Sequence, residues 1–413
     1  METTAGTDQN RNLVLNCLHE ASWGFGIAFH NSYAVIPLFL SLLNAPDGVV
    51  ISVAGLFSIL IAIPQLVSAV MGRNIRNIRI AVLGVHTLVW PPIFVAGFTF
   101  AFFAPTGPSA WIFYYICFLL YGLAIGMIIP IWADFLKHVT RAERRGTFFG
   151  ISFAFNSLGG FIGGLLSRQL LANFSFPGNF GWGFLITFAS LVTGTLIFLL
   201  YKIREPAEIQ PHKTIRQFWE QTHSIVKNHK NFRRYIFSRI FFTANFPAMS
   251  LYVIYAKDRF SFDISEAGMF TAVNTVAFGI ASYLAGRFGD RYGHKSALTI
   301  SLGLHLIALI IALAARNMWW VYAIFLFLGA GQGSFFPSSM SLVYAFAGRR
   351  DNKTYMALID TSLAPFTFAS IMIAGSLIHV IDVAFILQGI GILIAVSIGL
   401  MLITVREPKH ITS

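Results

Sequence analysis

Residues 109–137 decide the fold class, and they read SAWIFYYICFLLYGLAIGMIIPIWADFLK. No Asp, Glu, Lys or Arg occurs between positions 109 and 133. An α-helix rises about 1.5 Å per residue, so about 20 such residues cross the roughly 30 Å hydrocarbon core of a bilayer. An open strand would leave its backbone groups unpaired in lipid. The stretch is therefore predicted to be a transmembrane helix.

The rest of the chain repeats this pattern. The 413 residues are 56% hydrophobic and only 11% charged, with a mean hydropathy of +0.69. Soluble proteins contain about 25% charged residues, so a soluble globule is excluded. We predict an all-α membrane protein with twelve transmembrane helices, at 13–44, 48–71, 79–103, 109–137, 145–172, 180–202, 231–257, 263–286, 295–315, 317–347, 353–380 and 382–405.

The basic residues indicate the orientation of these spans. Of the 29 Lys and Arg residues, 24 lie in the gaps on one side, whereas Lys257, Arg259 and Arg316 lie on the other. Because cytoplasmic loops carry the excess of Lys and Arg, both termini are predicted to be cytoplasmic. Attraction to anionic lipid then accounts for the net charge of +12. No nucleic-acid partner is expected.

A polar stretch divides the chain into two halves. We predict an N-terminal six-helix bundle at 1–202, a cytoplasmic linker at 203–230 with an amphipathic helix over 212–228, and a C-terminal six-helix bundle at 231–413. The same Gly-Gly-Pro spacing occurs in spans four and ten, at Gly122, Gly126 and Pro130 and at Gly329, Gly333 and Pro337. The bundles are therefore predicted to be pseudo-symmetric, an arrangement typical of carriers whose halves rock about a midplane site.

The gap between spans eight and nine contains the most specific motif. It reads GRFGDRYGHK and resembles the loop signature G-x-x-x-D-R-x-G-x-[RK] of the major facilitator superfamily, through Gly286, Asp290, Arg291, Gly293 and Lys295. Together with the span count, polarity and duplication, the resemblance covers essentially the whole chain. It implies alternating access between the two bundles. The corresponding gap at 68–77 departs from the signature, because Gly72 occupies the acidic position.

The resemblance also implies a cytoplasmic gate. Asp290 is expected at the positively polarised N-terminus of span eleven, near Lys353 and Thr354 or beside Arg349 and Arg350. A contact that forms in only one conformation biases a two-state equilibrium. Solvated loop charges are the alternative interpretation. The predicted gate residues are Gly286, Asp290, Arg291, Gly293, Lys295, Arg349 and Arg350.

Span five contains a glycine series that partly resembles an antiporter signature of the same superfamily, G-x8-G-x3-G-P-x2-G-G. Gly164 occupies the proline position, and Ser167 and Arg168 replace the final glycines. A stripe of small residues for close helix packing is the favoured interpretation of Gly150, Gly159, Gly163 and Gly164.

Charged residues within the spans need a reason, because each costs a few kcal/mol. Glu20 and Arg239 lie about seven residues into spans one and seven, which by resemblance face each other across the central cavity. Glu20 is therefore predicted to pair with Arg239. Asp360 is a second possible partner for Arg239. Protonation of the carboxylate would release the arginine and couple transport to protons. A permanent structural pair or snorkelling to the interface are the alternatives.

The spans expected to line the cavity also supply aromatic and neutral polar residues. An aromatic cavity with few charges suits an amphipathic organic solute better than a sugar or a dianion. Hydrogen bonding between helices is the alternative role for the polar members. His86 and His305 are left out, because spans three and nine are expected to face lipid. The predicted cavity residues are Trp23, His30, Asn31, Gln65, Asn156, Asn245, Phe246, Gln332 and Phe336.

The sequence contains no P-loop, clustered metal-ligand spacing or nucleophile elbow. We therefore expect no enzyme, no ATP-driven pump, no cofactor and no metal. The prediction is a secondary active transporter, working as a monomer in a bacterial inner membrane and moving a small amphipathic solute out of the cell in exchange for protons. Proton-coupled uptake of a nutrient is the nearest alternative. A lipid flippase and a transporter-shaped receptor are the others.

Overall fold

The regular structure is helical throughout the residues that the computed structural model describes, which are 2–30, 32, 35–72, 75–203, 215–260, 266–348, 352–378 and 380–408. The helices before the linker are α1 (Glu2–Ala28), α2 (Val35–Leu42), α3 (Asp47–Met71), α4 (Ile78–Thr87), α5 (Trp90–Phe102), α6 (Pro108–Val139), α7 (Arg145–Asn173) and α8 (Gly178–Leu196). The later helices are α9 (Ile215–Asn228), α10 (Lys230–Phe242), α11 (Asn245–Phe260), α12 (Glu266–Tyr292), α13 (His294–Ala314), α14 (Met318–Ala347), α15 (Asn352–Leu377) and α16 (Val383–Thr404).

Each of the twelve predicted spans coincides with one helix or with two consecutive helices. Spans one, three and seven are the divided ones, as α1–α2, α4–α5 and α10–α11. The division of span three precedes Pro91 and Pro92, which open α5, where a missing backbone N–H costs nothing. Helix α9 lies where the linker helix was predicted. Its lipid contact stays a prediction.

Eight of the predicted spans, three to six and nine to twelve, meet the length and composition of a membrane-crossing helix within the described residues. The other four predicted spans also lie on helices. Those helices are interrupted, carry charged residues or fall partly outside the described residues.

The chain divides into two compact units. The first contains Met1–Arg141 and Phe155–His212, and the second contains Ala142–Ala154 and Lys213–Ser413. The first turns of α7 therefore belong to the second unit, although the rest of that helix belongs to the first. The predicted bundle boundaries at 202 and 231 stay a prediction.

The repeated glycines mark the same helix contact in each unit. Helix α6 packs against α3, and α14 packs against α12. A Cβ atom on Gly126 would collide with the carbonyl oxygen of Ile61, and one on Gly333 would collide with that of Phe278. Small residues let two membrane helices approach closely. The predicted duplication is thus visible in the packing as well as in the sequence.

Each unit contains one pair of serines that exchange hydrogen bonds, and the two pairs have the same pattern. In the first unit, the Ser22 hydroxyl donates to the Ser190 carbonyl oxygen at 2.8 Å, and Ser190 donates back at 2.6 Å. In the second unit, Ser238 and Ser397 exchange the same two bonds, each at 2.8 Å. These pairs join α1 to α8 and α10 to α16, so the first and last spans of each half are tied together at buried positions.

Three of the four glycines in this series lie at close helix contacts, as the packing interpretation predicts: Gly159 and Gly163 pack against α1, and Gly150 packs against Ser282 of α12. Cβ atoms on Gly159 and Gly163 would collide with the carbonyl oxygens of Ala21 and Phe25. Gly164 faces open space instead, with no heavy atom within 4 Å of the corresponding Cβ position.

Gly159 and Gly164 differ in the space around them, so substitution by alanine should affect stability differently at the two positions. We expect Gly159→Ala to lower the stability of the protein by about 1–3 kcal/mol, because the added methyl group forces two packed backbones apart. Gly164→Ala is the matched control on the same helix, and we expect it to be neutral or to stabilise by up to about 1 kcal/mol. Thermal unfolding of both purified variants measures the difference. Equal midpoints would contradict the packing role of Gly159.

Candidate transport and gating sites

Glu20 lies on α1 and is only 5% exposed. The side-chain amide of Asn156 on α7 donates a hydrogen bond of 3.0 Å to Glu20 Oε2. The approach is close, since a Cβ atom on Gly24 would collide with the backbone carbonyl oxygen of Asn156. Glu20, which was predicted to couple protons, thus contacts Asn156, which was predicted to line the cavity.

His19 is a neighbour of this carboxylate that the sequence interpretation missed. Its Nε2 atom lies 4.0 Å from Glu20 Oε1. Its Nδ1 atom lies 2.9 Å from the carbonyl oxygen of Gly194. Because a carbonyl only accepts, Nδ1 carries a proton, and in the neutral ring Nε2 keeps its lone pair. The signal available in the sequence was a histidine directly before a carboxylate within a span.

The His19 ring lies in a buried aromatic cluster of the first unit. Its centroid is 4.5 Å from that of Phe198, 5.7 Å from that of His86 and 5.8 Å from that of Trp23. His86, which was left out of the predicted site, therefore packs beside a residue that neighbours Glu20.

His30 and Gln65, two other predicted cavity residues of the first unit, are buried. The Nε2 atom of His30 lies 3.0 Å from the Tyr114 hydroxyl. The His30 ring also packs against Tyr121 and Phe184, within an aromatic core. Gln65 is fully buried on α3. Asn31 lies outside the described residues.

Arg239 is buried on α10 of the second unit. One guanidinium nitrogen donates to the Tyr235 hydroxyl at 3.0 Å and to the Ser339 hydroxyl at 3.2 Å. The guanidinium carbon lies 4.3 Å from the centroid of the Phe335 ring. The alternative pairing of Arg239 with Asp360 is left as a prediction. The predicted pairing with Glu20 stays a prediction.

Two predicted aromatic residues of the second unit present open ring faces. Phe246 is 38% exposed and Phe336 is 47% exposed. The Gln332 amide lies 3.6 Å from the sulfur of Met249. Asn245 is buried, and Asp360 is partly buried on α15. The central cavity that these residues are predicted to line stays a prediction.

Asp290 contacts the N-terminus of α7. The backbone N–H groups of Gly146 and Thr147 donate to its two carboxylate oxygens at 2.9 and 2.7 Å. The Thr147 hydroxyl donates at 2.6 Å, and His294 Nε2 lies 3.3 Å from Oδ1. A carboxylate at this position satisfies free backbone donors and the helix dipole.

This contact corrects the prediction that Asp290 meets the start of span eleven. In a duplicated chain, span five of the first half corresponds to span eleven of the second. Both spans are predicted to begin on the cytoplasmic side, and every α-helix begins with backbone N–H groups that lack an intrahelical partner, so the sequence pattern did not distinguish them. Arg349 and Arg350 lie outside the described residues.

The other described gate residues surround the Asp290 contact. A Cβ atom on Gly286 would collide with the carbonyl oxygen of Gly146, so glycine is needed there. Gly293 adopts a positive φ of 99°. In the helix that follows, the Lys295 backbone N–H donates a hydrogen bond of 2.9 Å to the Glu407 carboxylate. The Arg291 guanidinium lies 5.1 Å from the Tyr292 ring centroid.

The Asp290 carboxyl has a lowered pKa. Partial burial raises the pKa, but the hydrogen bonds from His294 and Thr147 outweigh burial and bring it below the ordinary value for aspartate. The folded protein therefore holds fewer protons on this group than the unfolded chain does. Its contribution to stability is complete above the ordinary aspartate pKa, and it is lost as the pH falls through the lowered value.

We expect Asp290→Asn to destabilise the protein by about 1.5–3 kcal/mol at neutral pH, since charge-assisted hydrogen bonds have this strength. The difference from wild type should shrink as the pH falls through the lowered pKa. Thermal unfolding against pH measures it. Glu143→Gln, at an exposed carboxylate near the same helix start, is the control and should change little. A pH-independent difference would contradict the role of the charge.

Repeated helical halves, helices suited to membrane crossing and a carboxylate that caps the start of α7 define a secondary transporter rather than an enzyme. The chain belongs to the major facilitator superfamily, whose family model matches residues 21–253 and 235–413. It is an integral membrane protein. No curated protein matches the chain.

Several solved transporters have similar structures. The Escherichia coli fucose:proton symporter FucP is 12% identical with a TM-score of 0.74, covering 97% of this chain and 100% of its own. The human organic anion transporter MFSD10 is 12% identical with a TM-score of 0.74, covering 95% and 99%. A bacterial homologue of the iron transporter ferroportin is 14% identical with a TM-score of 0.70, covering 95% and 98%. These likenesses concern the fold alone.

Proposed function

We propose that this transporter exports small amphipathic organic solutes in exchange for protons. The observation that carries the proposal is the buried Glu20 carboxylate, which has an amide donor on one oxygen and the His19 imidazole near the other. A buried carboxylate that is not locked into a short ion pair with an arginine or lysine can exist with or without its proton. That freedom is the basic requirement of a proton-coupling group.

The surroundings of Glu20 suit both protonation states. When ionised, the carboxylate accepts the Asn156 hydrogen bond at Oε2. When protonated, Oε1 can donate toward the Nε2 lone pair of His19, which lies 4.0 Å away and closes up with a side-chain rotation. Protonation removes the negative charge that is predicted to attract Arg239, so the arginine is released when the proton arrives.

The proposed solute class follows from the groups predicted to line the cavity. Phe246 and Phe336 offer exposed aromatic faces, and Gln332 adds an amide. Aromatic faces attract apolar rings and organic cations. A sugar needs many paired hydrogen bonds, and a dianion needs opposing positive charge. This set of residues supplies neither in quantity.

The Asp290 contact is proposed as the cytoplasmic latch. It ties α12 to the start of α7 through two backbone N–H groups and one hydroxyl. Since these bonds must break if the two helix ends separate, they favour the conformation in which the ends are together.

The test uses the purified chain in proteoliposomes, with ethidium as the probe and the membrane potential clamped by potassium and valinomycin. An exchanger moves ethidium against the proton flow, so ethidium should accumulate when the lumen is the more acidic side. L-fucose and succinate serve as sugar and dianion comparators, and protein-free liposomes as the blank. Accumulation only when the bath is acidic would establish symport instead. Ethidium flux that does not respond to either gradient would refute proton coupling.

A further inference from the structure

Helix α12 borders a basic cavity of about 540 Å³ in the second unit. The cavity lies between the cytoplasmic end of α12 and the start of α7. Three arginines line it, Arg287 and Arg291 from α12 and Arg144 from the short turn before α7. Because these cations come from two separate elements and converge on one concavity, they form a site for an anion rather than a row of surface charges.

The charge of these arginines is only partly offset by the carboxylates that line the cavity. Among the described residues, none of the three forms an ion pair. Arg287 instead contacts the Tyr283 hydroxyl at 3.0 Å. Asp290 also lines the cavity, but α7 and His294 occupy its carboxylate. Glu143 is the other lining acid, so the lining holds three arginines and two carboxylates and keeps a net positive charge.

A second cavity, apolar and about 560 Å³ in volume, lies along the same helix. It is a groove between α12, α13 and α14. Ile280 and Leu284 of α12, Ile300 and Leu304 of α13, and Leu326 of α14 line it. Ile280 and Leu284 are 59% and 58% exposed, so the groove opens outward from the unit.

The two cavities share no lining residue, but side chains from each lie in one stripe on a face of α12. Ile280, Leu284, Arg287 and Arg291 follow a spacing of four, three and four residues, which places them on one helix face. Arg287 lies about 10 Å above Ile280 along the axis, at about 1.5 Å per residue. The apolar part occupies the predicted membrane span, and the basic part occupies the predicted cytoplasmic gap.

We propose that this stripe binds an anionic phospholipid of the cytoplasmic leaflet, with its phosphate among the three arginines and an acyl chain in the apolar groove. In such a lipid, an anionic phosphate lies next to a hydrocarbon chain, and in the stripe the arginines likewise lie next to apolar side chains. Anionic headgroups gain about 1 kcal/mol for each basic residue at the membrane surface, which corresponds to about a fivefold affinity gain per arginine. A soluble phosphate would leave the apolar groove empty, so we propose a lipid as the ligand.

The experiment measures lipid retention on the full chain by native mass spectrometry and by thermal unfolding. Phosphatidylglycerol and phosphatidylcholine with identical acyl chains are titrated, together with inorganic phosphate as the soluble arm. We expect phosphatidylglycerol to bind at least tenfold more tightly than phosphatidylcholine. In the triple variant R144Q/R287Q/R291Q the preference should fall below about twofold. Inorganic phosphate should not raise the unfolding midpoint.

The matched control removes three exposed basic residues of the predicted cytoplasmic side that do not line either cavity, R76Q/K227Q/K230Q. This control should keep the lipid preference. Equal retention of the two lipids, or equal losses in both triple variants, would overturn the proposal. Stabilisation by inorganic phosphate alone would assign the cavity to a soluble anion instead.

Two further variants complete the design. The single variant R287Q covers the case of a poorly folded triple variant, with an expected loss of about fivefold. A281F, which fills the groove, should weaken binding of long-chain but not short-chain phosphatidylglycerol. If A281F has no effect, the acyl-chain part is wrong. Neither a proton gradient nor a solute is used, so these results are independent of the proposed export activity.

Discussion

Glu20→Gln should lower gradient-driven ethidium flux by about 100-fold, the order of loss expected when a positioned proton-transfer group is removed. Glutamine keeps the size of the side chain and still accepts the Asn156 hydrogen bond through its carbonyl oxygen. It cannot take up a proton. Ethidium exchange across proteoliposomes without a gradient should therefore fall less than gradient-driven flux, because exchange needs solute binding and helix motion but no protonation change.

The control for this loss is Asp8→Asn, at a carboxylate near the start of the same helix. Asp8 lies 4.0 Å from Lys202 in a solvent-accessible ion pair, and such pairs contribute about 0–1 kcal/mol. Gradient-driven flux in Asp8→Asn should equal that of wild type. If Glu20→Gln retained the full response to an imposed gradient, Glu20 would have no coupling role.

Arg239→Gln is expected to have the second largest effect, a loss of flux on the order of 10-fold to 100-fold. The variant loses the buried cation that packs on Phe335 and leaves Glu20 without its predicted partner. Arg239→Lys should rescue poorly, since an ammonium cannot stack as a planar guanidinium does. Arg234→Gln, at an exposed arginine earlier on the same helix, is the control and should be nearly silent.

The double variant E20Q/R239Q tests the predicted pairing. If the two charges interact during the transport cycle, the loss in the double variant should be smaller than the sum of the single losses, with a coupling of about 1 kcal/mol or more. Steady-state flux in the four proteins gives this coupling. Strictly additive losses would contradict the pairing while leaving the coupling role of Glu20 intact.

The sequence was sufficient for the span positions and the duplication. The bilayer sets the length of the apolar stretches and the distribution of the basic residues. Both can therefore be read from a single sequence without knowledge of tertiary contacts. The shared spacing at Gly126 and Gly333 indicated the duplication, and both glycines lie at the equivalent helix contact. The reciprocal bonds of Ser22 with Ser190 were not predictable, because a serine within a span carries no sign of its distant partner.

The candidate sites were predictable as residue types but not as partners. The cost of a charge in lipid singled out Glu20, and the motif singled out Asp290. Which groups they meet depends on tertiary packing. Asn156 meets Glu20 because α7 packs closely on α1. Asp290 meets Thr147 because the start of α7 packs closely on α12, where a Cβ atom on Gly286 would collide with the carbonyl oxygen of Gly146.

The most direct test of proton-coupled export is the number of protons exchanged when ethidium binds to the purified chain in weakly buffered detergent solution. Solute and proton compete in an exchanger, so binding should release up to about one proton per chain, and Glu20→Gln should release none. Proton uptake on binding, or release that persists unchanged in Glu20→Gln, would contradict the proposal that export is coupled through Glu20.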